Sequence, residues 1–129
     1  MYVLGGIRPW ESLGGGVAGS LGTPQLAAHG TLCGGSAVTL VVSGGMPSSA
    51  IMYVVGFSAV QLPFHDGTLW PVPDLLRFGA LDAGGNSMLA GTWPLAQPGM
   101  QPVYAQAWIA DVAAPAGLAA TAGLRAITP

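Results

Sequence analysis

Residues 102–111, Pro-Val-Tyr-Ala-Gln-Ala-Trp-Ile-Ala-Asp, alternate with a period of two: Val103, Ala105, Ala107 and Ile109 fall on one face and Tyr104, Gln106 and Trp108 on the other. That is the pattern of a strand. Both faces are largely apolar, which predicts a central strand covered on both sides, with Gln106 obliged to find hydrogen-bond partners in the interior. Shorter segments of the same kind span residues 24–28, 36–43, 50–58, 87–93 and 119–127, parted by glycine, proline and asparagine. Residues 50–58 are apolar on both faces, with Gly56 marking a bulge or a close backbone approach. Residues 75–81 read as a short strand or one helical turn, for which Asp74 is an N-cap candidate. No useful length of chain keeps a helical period. The pattern predicts an all-β fold, an antiparallel β-sandwich of jelly-roll or immunoglobulin-like type with roughly seven to eight strands.

Two regions depart from this regularity. Residues 1–21 read as an N-terminal arm and linker ahead of a sandwich domain at 22–129. The arm is a short apolar β-segment carrying Tyr2, Val3, Leu4 and Ile7, and the linker holds Pro9 and Gly14-Gly15-Gly16. Extended at roughly 3.3 Å per residue, residues 8–22 span about 50 Å, enough to reach a neighbouring molecule; the arm folding back as the first strand of its own sheet is the alternative. Trp10 and Leu13 read as a patch that anchors the linker. Residues 59–73 form the longest irregular stretch, with Pro63, Pro71, Pro73 and His65-Asp66-Gly67, and are the candidate ligand loop.

Composition narrows the function. The 129 residues include three arginines, no lysine and five acidic residues, 6% charged in all, with a net charge of −2. Typical domains hold about 25% charged residues. A monomer of this mass exposes roughly 6,300 Å², so either small polar groups and backbone solvate a nearly neutral surface or other subunits cover it; the scarce charge favours the second. Without a basic cluster the chain is not expected to bind nucleic acid. Glycine, serine and proline interrupt every apolar run short of a membrane span. Met1 is followed by no basic n-region, so the first residues do not read as an intact signal peptide. The single cysteine, Cys33, allows no intrachain disulfide, and with two scattered histidines makes no structural zinc site of the usual kind. No metal or cofactor is expected.

Candidate chemistry is sparse. Ser58, His65 and Asp66 contain the residue types of a hydrolytic triad, but adjacent His and Asp on a strand point in opposite directions, and a triad needs its carboxylate behind the imidazole. Asp66, Asp74, Asp82 and Asp111 fall in loops, where carboxylates either gather calcium or cap their own turns. Trp10, Trp70, Trp93 and Trp108 are candidate interface or ligand aromatics, since indole rings serve as interface anchors or stack on sugars. Cys33, beside Gly34-Gly35 with no basic neighbour, reads as an inert thiol.

The phrases Gly22-Thr23-Pro24-Gln25-Leu26, Met46-Pro47-Ser48-Ser49-Ala50, Gly56-Phe57-Ser58, Val72-Pro73-Asp74-Leu75, Asp82-Ala83-Gly84-Gly85, Tyr104-Ala105-Gln106-Ala107-Trp108 and Gly117-Leu118-Ala119 occur in this order. Together they resemble an uncharacterised low-charge β-domain found near the C-termini of large secreted proteins of environmental bacteria. The resemblance implies an extracellular or cell-surface location and an all-β fold, and it implies no catalytic residues. Cys33 stands alone where relatives often carry paired cysteines, and only a short arm precedes the domain where they have a long passenger. The resulting expectation is a non-enzymatic extracellular structural subunit that self-assembles into a filament or tube, its arm adding a strand to a neighbour. The alternative is a carbohydrate-binding or adhesive module whose partner is a polysaccharide, held by Trp70 and the 59–73 loop.

Overall fold

The computed structural model describes residues 10–95 and 99–128. The arm residues Tyr2, Val3, Leu4 and Ile7 lie outside the described residues. In chain order the strands are β1 (Glu11–Gly14), β2 (Gln25–His29), β3 (Ala37–Ser43), β4 (Ala50–Gly56), β5 (Ala59–Phe64), β6 (Gly67–Pro71), β7 (Leu75–Ala80), β8 (Ser87–Thr92), β9 (Pro102–Ala110), β10 (Leu118–Ala120) and β11 (Gly123–Ile127).

The principal sheet has the order β1-β11-β9-β4-β7, with β10 also on β9. A second sheet runs β2-β3-β8, and β5 and β6 form a separate hairpin. All the strand pairs are antiparallel. The fold is therefore an all-β, sandwich-like antiparallel assembly, with β9 in the middle of its larger sheet as the alternation predicts.

The two faces of β9 build two cores. Ala105, Ala107 and Ile109 join Ile51 and Tyr53 of β4 and pack on Leu40 and Val42 of the second sheet. Tyr53 ties the sheets together, its hydroxyl donating to Ser87 Oγ at 2.8 Å. Burial raises the pKa of this phenol, against the opposing pull of the Ser87 hydrogen bond. On the opposite face, Trp108, Val54, Ala120 and Val17 pack beneath Phe64 and Leu69 of the hairpin. Three layers result, and the strand apolar on both faces lies in the middle one.

Gln106 holds the outer layer in place. Its Oε1 accepts from Trp70 N at 3.0 Å, and its Nε2 donates to Thr68 O at 2.9 Å and Thr121 O at 3.1 Å. A fully buried amide thus grips two backbone groups of β6, satisfying the demand that burial places on it.

Several expectations are corrected. Within residues 59–73, β5 and β6 form a β-hairpin over 59–71, turning at His65 and Asp66, whose φ values of 44° and 65° mark a type I′ turn. Its prolines stand where this two-stranded unit need not donate, and Gln61 at φ 51° bends β5 over the core. Residues 119–127 divide because Thr121 breaks the ladder: its Oγ1, in place of a carbonyl, accepts from Ala107 N at 3.0 Å. Of the two readings of residues 75–81 the strand holds, over 75–80, and only the N-cap role falls: Asp74 accepts from the Phe57 N–H at 2.9 Å instead.

Nor is the stretch before residue 22 a free linker. β1 pairs with β11, and Glu11 meets Arg125 Nη1 at 2.8 Å. Val17 bridges to Ala120 and is buried. Ser20 donates from N and Oγ to Asp111, at 2.7 and 2.6 Å. The backbone lies so close here that a Cβ on Gly19 would collide with the Asp111 carboxylate. Gly56 is the close-approach site its position in a strand predicts: a Cβ there would run into the Val72 carbonyl.

Candidate functional site

The residues singled out for chemistry are scattered and occupied locally. His65 and Asp66 sit at the hairpin tip, where the His65 ring lies edge-on to Phe64 and its Nδ1 is 3.3 Å from Ala116 O. Ser58 lies at the hairpin's other end, its carbonyl accepting from Val72 N. The three triad residue types are not brought together. Asp82 accepts from Gly84 N and Asn86 N within its own turn. Asp111 is buried and accepts from Ser20 and from Ala113 N. Burial opposes ionisation of Asp111, but these hydrogen bonds outweigh it and hold the carboxyl below its usual range. Among the described residues no three His, Cys, Asp or Glu gather where they could hold a metal ion. Cys33 is exposed and free, in the β2–β3 connection, with its carbonyl accepting from Ser36.

The four tryptophans divide into two kinds. Trp108 is 1% exposed and meets Phe64 edge-on at 4.9 Å, so no ligand reaches it. Trp70 is half-buried over Gly123, where a Cβ would strike its ring, and its Nε1 donates to Gly14 O at 3.0 Å. It clamps the β1–β11 edge. Trp10 and Trp93 instead line a cleft of about 390 Å³ between the sheets.

That cleft is where the sandwich is incomplete. β7 ends the principal sheet and β8 ends the smaller one. Between them the cleft is floored by Val55, Val103 and Ala105 and walled by Leu75 and Leu89, and among the described residues Arg77 is its only charged lining residue. Among the described residues the two edges have no strand beyond them, and an edge of this kind can pair with another strand.

β7 is exposed along its whole length, Leu75 to Ala80. Its register against β4 places Leu75 and Arg77 on the cleft side, opposite Val55 and Tyr53, and Leu76 and Phe78 on the hairpin side, opposite Val54 and Met52. Phe78 is 74% exposed. Natural edges are usually blunted by lysine, proline, a bulge or a cover. Here the one charge is Arg77, whose Nη1 donates to its neighbour's carbonyl, Leu76 O, at 3.0 Å. Sequence reading missed this feature. Its signal was present: a strand apolar on both faces, Leu75-Leu76-Arg77-Phe78, is either central or an edge with a partner to come.

The chain matches no family model, no curated protein and no solved structure. No helix among the described residues is long and apolar enough to cross a membrane.

Proposed function

We propose that this protein is a non-enzymatic, extracellular structural subunit that associates with copies of itself into a filament or tube. The observation that carries the reading is β7: an edge strand exposed on every residue, apolar on both faces, beside an open apolar cleft. Such an edge is a template for another strand, with backbone hydrogen bonds giving affinity and alternate side chains giving register. A head-to-tail contact propagates unless its rotation closes a ring. The near-neutral surface suits contact between copies, since few charges must be desolvated. The resemblance to domains of secreted proteins supports the extracellular setting.

The glycan-binding alternative has less support, because Trp70 and the 59–73 segment are spent on covering the core. The test is electron microscopy and sedimentation of the full chain beside a version lacking residues 1–7. Assembly only with residues 1–7 present is the expected result; assembly at undiminished length without them, or two monomeric proteins, overturns it.

A further inference from the structure

We propose that the cleft between β7 and β8 is a binding site for a medium-chain fatty acid, its hydrocarbon tail lying between the sheets and its carboxylate meeting Arg77. The inference goes beyond self-association and does not rest on it.

The cleft is a gap that residue types create. The inner faces of stacked sheets normally interdigitate across about 10 Å. Along β8 the inward positions are Ser87, Leu89 and Gly91; Leu89 packs on the core, but Gly91, paired with Val38, has no side chain to bring. A Cβ built on Gly91 would meet no atom within 4 Å. From the principal sheet, Ala105 contributes only a methyl group to the floor.

Size and chemistry then select the occupant. Ligand sites run from about 300 to 1,000 Å³, and this one, about 390 Å³, is at the small end. At roughly 30 Å³ for a water molecule in the liquid, it holds about a dozen groups of that size, which is the size of decanoate. Leu75, Leu89, Val55 and Val103 give the tail an apolar lining. Arg77 supplies the cation, on the exposed strand β7 where the cleft meets solvent. Its Nη1 donates to Leu76 O, and among the described residues no carboxylate meets it; Glu11 pairs with Arg125 instead. A guanidinium presents five N–H donors in a planar fork that fits a carboxylate. One apolar tail and one acid group are therefore what the cleft complements.

The test is equilibrium dialysis of the full-length protein against decanoate, octanoate and the neutral decanol. One saturable site per chain for decanoate is expected. Octanoate should bind roughly tenfold more weakly, at about 0.8 kcal/mol for each methylene lost. Arg77→Met keeps an apolar stem and removes the charge, so it should weaken decanoate about fivefold and leave decanol unchanged. Gly91→Leu fills the open space and should weaken both ligands at least about tenfold, with its retained fold checked by circular dichroism. No saturable binding to the full chain, or wild-type binding by Gly91→Leu, would overturn the site. Wild-type decanoate affinity in Arg77→Met would overturn the choice of an acid.

Discussion

Replacing Gln106 by leucine keeps the side chain's size and removes its hydrogen bonds, which leaves Trp70 N–H, Thr68 C=O and Thr121 C=O without this partner. An orphaned buried polar group costs about 1–3 kcal/mol. The Trp70 and Thr68 bonds are part-buried, so water limits each of those to about 1 kcal/mol, and the buried Thr121 bond takes about 2. Added apolar burial offsets about 1 kcal/mol. The net loss is about 3 kcal/mol, read by urea denaturation as a midpoint about 1–2 M lower at unchanged slope. Gln106→Glu sharpens the test. A carboxylate there would face the Thr68 and Thr121 carbonyls, so its folded pKa rises above the unfolded value of about 4.3. The acid then contributes most stability below that value and loses it as pH rises through the folded pKa. A Gln106→Leu chain within about 1 kcal/mol of the parent, or a Gln106→Glu chain whose stability relative to the parent does not fall with rising pH, would refute the view that this amide fastens the hairpin to the sheet.

Asp111 titrates in the opposite sense. Its folded pKa is lowered, so its contribution is present above the unfolded value of about 3.9 and lost as pH falls through the folded pKa. Asp111→Asn should lower stability at pH 7 and flatten the acid limb of a denaturation-versus-pH series. Gly56→Ala drives a methyl group into the Val72 carbonyl and should cost about 3 kcal/mol by thermal or urea unfolding. Phe78→Lys, at a position 74% exposed, should change stability by less than about 0.5 kcal/mol while weakening assembly.

The middle of the fold was legible because alternation is strongest where burial is two-sided. Residues 102–111 showed a covered central strand, and a lone glutamine between Tyr104 and Trp108 announced an interior hydrogen-bond centre. The hairpin escaped because Pro63 and Pro71 argue against strands, and because its turn uses His65-Asp66 at positive φ where Asn-Gly is the familiar signal. β1 escaped because Glu11 to Gly14 has almost no apolar alternation; its place comes from pairing with β11 and from Glu11 meeting Arg125, a long-range partnership that local pattern cannot show. For the same reason the cleft was invisible: it exists only because β7 and β8, consecutive in the chain, end two different sheets side by side.

The most direct test of the account is amide hydrogen exchange of the full chain, dispersed and assembled. Slowed exchange on assembly, concentrated in residues 75–80 and in residues 2–7, is the predicted result, because strand addition pairs the free edge of β7. Assemblies in which residues 75–80 exchange as fast as in the dispersed protein would contradict the account.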